Sequence, residues 1–136
     1  MNNCNNQCSI CPNLVISTSV SIVTIDGVDT LVIDLPAGTY INGRKYCIVV
    51  AQQVPDTATI NMPVAFSIGG VTTTVYPFIN CNCTQITACG VRTRTRYPVC
   101  VFTNATGAVI RSTRHICCYP QNNLFSIPVP ATTEGG

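Results

Sequence analysis

The stretch Leu14 to Leu35, LVISTSVSIVTIDGVDTLVIDL, decides the fold class. Two β-branched runs, Leu14 to Ile25 and Val28 to Leu35, flank Asp26-Gly27, a pair that tolerates positive φ at both turn positions and so predicts a tight hairpin. The same grammar recurs outward from there. Asp34 to Gly38 supplies a second turn and Asn42-Gly43 a third, just before the apolar run Tyr46 to Ala51, whose poor alternation suits a strand buried on both faces. Pro55 breaks that run. Thr57 to Ile68 and Val71 to Ile79 bracket Gly69-Gly70, and Val91 to Thr103 faces Ala108 to Cys118 across Asn104 to Gly107. Pro63 and Pro77 lie inside two of these runs and predict edge strands or bulges. Phe125 to Val129 adds a last short strand.

Composition agrees with this grammar. Valine and isoleucine number 30 against 4 leucines, and 18 threonines add further β-branched side chains. No helical period occurs anywhere. The chain of 136 residues suits one domain. The expected organisation is an extended Cys-rich arm over 1–13, an all-β domain over 14–130 and a flexible tail over 131–136. Turns at regular spacing, with about eight or nine short strands, read as a β-sandwich or jelly-roll-like domain.

Charged residues are 9% of the chain and mean hydropathy is +0.34, so the surface carries few charges and tends to associate. No apolar run approaches the ~18 residues of a spanning helix, which excludes a membrane-spanning helix. The formal charge of +2 is too small to imply a nucleic-acid partner by itself.

Ten cysteines imply an oxidising destination, yet the start MNNCNNQCSICPN has neither the basic nor the apolar region of a secretory leader. A leader already removed, thiols that hold metal in the cytosol, or synthesis in the cytoplasm followed by release on lysis would each reconcile the two; the last is the expectation, and it places the protein outside the cell on a spore or virion surface. Cys4, Cys8 and Cys11 form CxxxCxxC in the arm, where no core rewards burial, so bonds to a neighbouring copy are the expectation. A zinc knuckle would need a second CxxC, and none follows. Cys117 and Cys118 are adjacent, so on a strand they point to opposite faces and one looks outward. Its partner could be Cys81, Cys83 or Cys89 in the nearby loop, or an arm cysteine of another subunit. Cys4, Cys8, Cys11, Cys117 and Cys118 are thus the intersubunit candidates, with Cys47, Cys81, Cys83, Cys89 and Cys100 as further disulfide candidates.

Five of the seven cations fall between residues 92 and 114. Arg92, Arg94 and Arg96 follow strand period on one face, with Arg111 and Arg114 on the returning strand, and Thr93, Thr95 and Tyr97 face inward. Such a row is a solvated outer face, an anion- or nucleic-acid-contact face that grips carboxylates or phosphates in forked geometry, or a face that pairs with the few aspartates of another subunit, the solvated face being the expectation. Enzyme chemistry finds no footing. His115 is the sole histidine and has no evident orienting carboxylate, while Glu134 is the sole glutamate. No catalytic residue, cofactor or metal site is expected.

With these residues in view, the organisation resembles that of bacterial endospore appendage subunits. The shared features are Cys4, Cys8 and Cys11 in a short N-terminal arm, the leaderless start, the Val/Ile/Thr-rich body and Cys117-Cys118. The resemblance implies a jelly-roll domain with a connector that links subunits covalently. The segment LPAGTYINGRKYCIVVAQ, Leu35 to Gln52, is also similar to short proteins of anaerobic Firmicutes and their phages. The function expected from all this is a self-assembling structural subunit of an extracellular filament or particle surface, partnered by copies of itself. The alternative is a virion decoration or host-surface module that contacts capsid or glycan.

Overall fold

Leu14 to Leu35 makes three strands, because the first run breaks at Ser17-Thr18. In the computed structural model, which describes residues 13–104 and 107–118, β1 (Leu14–Ile16) runs parallel to β4 (Lys45–Val50), while β2 (Ser19–Ile25) runs antiparallel to β3 (Val28–Leu35). The chain passes from one partner to the other without losing backbone bonds. The Ser17 N–H donates to the Val49 carbonyl and the Thr18 N–H to that of Asp34, each at 2.9 Å. Buried Ser17 also gives its hydroxyl to Gln52 Oε1 and accepts from the Ala51 N–H, and Gln52 Nε2 returns a bond to the Ser17 carbonyl. Asp26 and Gly27 stand at φ 50° and 79°, the two positive values that a two-residue hairpin turn requires.

The remaining strands are β5 (Val64–Ile68), β6 (Val71–Ile79), β7 (Thr95–Asn104) and β8 (Gly107–Ser112). The all-β expectation holds: eight strands form one mixed sheet in the order β1-β4-β7-β8-β6-β5-β3-β2. Inward positions recur with period two: Leu31, Ile33 and Leu35 on β3; Tyr46, Ile48 and Val50 on β4; Tyr97, Val99 and Val101 on β7. These rows join Val64, Phe66 and Phe78 in one cluster, so strands from both halves of the order share a core. Phe78 sits edge-on to Phe66 at 4.8 Å and to Tyr97 at 5.8 Å between ring centroids. Of the run Tyr46 to Ala51, Tyr46, Cys47, Ile48 and Val50 are buried, with Cys47 fully enclosed opposite the core row, while Val49 is half-buried and Ala51 is exposed beyond the end of β4.

Several boundaries differ from the sequence expectation. Thr57 to Asn61 form no strand, since the chain turns at Pro55 to Ala58 and again at Thr59 to Met62 through backbone bonds of 3.0 and 3.1 Å. Pro63 precedes β5 in an isolated bridge to Thr87. Pro77 lies in an interior strand of the order, but β6 joins β8 only from Phe78 onward, and its pairing with β5 slips between Phe66 and Ile68, the bulge alternative. β7 begins at Thr95 and β8 ends at Ser112, shorter than the runs suggested. Asn13, counted with the arm, is a bend next to β1 whose side chain donates to the Lys45 carbonyl at 2.8 Å. The rest of the arm, the Phe125 to Val129 strand and the tail lie outside the described residues.

Candidate functional site: a cysteine and arginine corner

Beyond β6 the chain reverses in a tight loop, with the Asn80 N–H donating to the Thr84 carbonyl at 2.7 Å and the Ile86 N–H to that of Phe78 at 2.9 Å. Gln85 Nε2 reaches the carbonyls of Val64, Phe78 and Ile86, holding together two strands just where they diverge. A 3-10 turn, Ala88–Gly90, then carries Cys89 to the surface side of the core.

Asn80 is the organiser. It is 5% exposed, and its side chain bridges backbone on two elements: Nδ2 donates to the Ile116 carbonyl at 2.8 Å, while Oδ1 accepts from the N–H groups of Ile116 and Cys81. Beyond Thr113, whose N–H still bonds the Pro98 carbonyl on β7, the described segment belongs to no strand, and this amide supplies partners that a ladder would have supplied. A Cβ on Gly90 would stand 2.9 Å from Ile116 Cγ2, so glycine there is a packing requirement. The Cys89–Cys118 disulfide closes the corner, with Cα atoms 4.7 Å apart.

The cysteine candidates therefore separate by chemical state. Cys118, expected among the intersubunit set, is bonded within the chain to Cys89, one of the three loop partners the sequence left open. Cys47 and Cys81 are disulfide-bonded as well. Cys83 and Cys117 carry free, exposed thiols, and Cys100 a half-buried one on β7. Cys117 and Cys118 lie beyond the end of β8, so the opposite-face argument for a strand pair does not apply to them. Cys4, Cys8 and Cys11 lie outside the described residues. Among the described residues no group of His, Cys, Asp or Glu is arranged to hold a metal ion. A cavity of about 190 Å³ runs between the loop and the returning segment, lined by His115, the disulfide and polar backbone, with no carboxylate on its wall.

The arginines stand beside this corner in a different arrangement from the expected ladder. Arg92 and Arg94 precede β7, and Arg94 adopts φ 64°, which breaks the strand before it can alternate. Exposure still alternates, with Arg92, Arg94 and Arg96 outward and Tyr97 fully buried. Tyr97 fixes the approach: its hydroxyl donates to the Gly90 carbonyl at 3.1 Å and accepts from the Arg92 N–H at 2.8 Å. Alternation places Tyr97 inward from sequence, but nothing in the sequence shows what its hydroxyl or the Asn80 amide holds. Arg111 lies on β8 and Arg114 beyond it. Arg114 Nη2 donates to the Arg96 carbonyl at 3.0 Å, and its Nε is enclosed without an acceptor.

Asp34 forms a second polar knot, on β3. It accepts from Thr18 Oγ1, Ser67 Oγ and the Gly70 N–H. Burial alone would raise its pKa, and these three bonds outweigh that and leave it lowered. No family model, curated protein or solved structure matches the chain.

Proposed function

We propose that the chain is a self-assembling structural subunit of an extracellular filament or particle surface, stabilised by strand-edge pairing and by disulfides between subunits. The observation that carries this reading is the coexistence of exposed thiols at Cys83 and Cys117 with oxidised Cys47, Cys81, Cys89 and Cys118. Disulfides belong to an oxidising setting, and an accessible thiol in that setting forms bonds with whatever thiol meets it. β2 adds support. It is a seven-residue strand at one end of the sheet order, and its sequence SVSIVTI has neither the charge nor the proline that usually blunts an edge.

Negative-stain imaging and non-reducing electrophoresis of the full chain test the reading. Regular assemblies are expected, with covalent multimers that reductant collapses and that Cys83→Ser with Cys117→Ser depletes. Deleting residues 1–12 tests the arm, and assemblies that heat and detergent then take apart are expected. A chain that stays monomeric in every condition overturns the reading. The binding-module alternative rests on an open groove of about 400 Å³ beside the arginines, lined by Gln53, Arg92, Thr93 and Thr95. Discrete monomers that retain a glycan would favour it.

A further inference from the structure

We infer that copies of this chain associate head to tail, the hairpin tip Asp26 to Asp29 of one docking on the Arg94, Arg96 and Arg114 face of the next. This rests on the assembly reading and names its contact. Charge is scarce in the chain and sharply segregated. Residues 14–43 hold three of the five acids and no cation, whereas residues 92–114 hold five of the seven cations and no acid. In the strand order the β2–β3 hairpin ends one side, and β7 and β8 lie across β6 and β5 from it.

Both surfaces present exposed charge: Asp26 and Asp29 on one, Arg94 and Arg96 on the other. Asp26, Gly27, Val28 and Asp29 are all exposed on a turn closed by the Ile25 and Val28 pair, and Val28, at 50% exposure, adds an apolar contact between the carboxylates. Thr24 Oγ1 donates to Asp29 Oδ1 at 2.7 Å, which orients that carboxylate. On the other face Arg94 and Arg96 are exposed, and Arg114 Nη2 is tied to the Arg96 carbonyl beside them. Guanidinium forks match carboxylates in geometry as well as sign. Because tip and face are different patches, each docked pair leaves one of each unfilled, the condition for a ring or an open filament.

Sedimentation velocity of the full chain tests this, with Asp26→Arg plus Asp29→Arg as one variant and Arg94→Asp plus Arg96→Asp as the other. Each alone should weaken association by about tenfold or more, as should about 0.5 M NaCl on the unaltered chain. Mixing the two variants should restore it, since the reversed tip of one meets the reversed face of the other. Circular dichroism confirms folding, and Asp26→Asn with Asp29→Asn gives a milder loss in the same direction. Salt-insensitive assembly by the reversed variants overturns the docking but leaves the assembly reading standing. A monomeric unaltered chain overturns both. Capture of a sulfated oligosaccharide by the arginine face, without self-association, reassigns that face to a polyanion.

Discussion

In β3, Leu31, Ile33 and Leu35 are each fully enclosed and hold their places as members of a period-two row. Residues 114–118, by contrast, belong to no strand and are held by the Asn80 amide, the close approach at Gly90, the bonds of Arg114 to Arg96 and Ser112, and one disulfide. The difference is one of redundancy. A row of apolar side chains shares its burial among many neighbours, whereas the corner depends on single bonds, each with a named donor and acceptor. Perturbations should therefore act globally in the first region and locally in the second.

The largest effect should come from the core. Phe78→Ala removes the ring that links Phe66 to Tyr97, and a loss of about 4 kcal/mol in denaturant stability is expected, spread over the whole domain. Replacing both Cys89 and Cys118 by serine opens a loop with a sequence separation of 29 and should cost about 3 kcal/mol. Hydrogen exchange sharpens the contrast here. Amides of residues 114–118 should lose protection while those of β3 retain it, and equal loss in both regions would erase the distinction.

Asp34 carries the contrast into pH. Its pKa is lowered in the folded state, so its stabilising bonds are fully present above the unfolded value near 3.8 and are lost as pH falls through the lower folded value. The thermal midpoint should drop as pH is lowered from about 5 toward 3, and Asp34→Asn should flatten that dependence. The smallest expected effect is a gain. Arg94 occupies the left-handed region that glycine adopts without cost, so Arg94→Gly should raise stability by about 0.5 kcal/mol after the greater freedom of the unfolded chain is counted.

How much of this was legible beforehand follows the same division. The hairpins at Asp26-Gly27 and Gly69-Gly70, and the bounds of β6, Val71–Ile79, stand where alternation and turn residues put them. Thr57 to Asn61 had strand composition but lay between Pro55 and Pro63, and local turn bonds won. The arginine row was legible as outward-facing, but the turn at Arg94 was not, because arginine gives no sign of positive φ.

The sequence by itself determined the β class, the tight turns, the inward rows and the uneven charge, since each depends on residues a few positions apart and on side-chain shape. Only the tertiary structure decided that Leu14 to Ile25 serves two partners, that Cys118 takes Cys89 and leaves Cys83 and Cys117 free, and that Asn80 and Tyr97 anchor the corner. Those outcomes join residues separated by as many as 36 positions in the chain. Local preference carries no information about which distant backbone arrives; that is fixed when the core rows pack and bring strands together in one order.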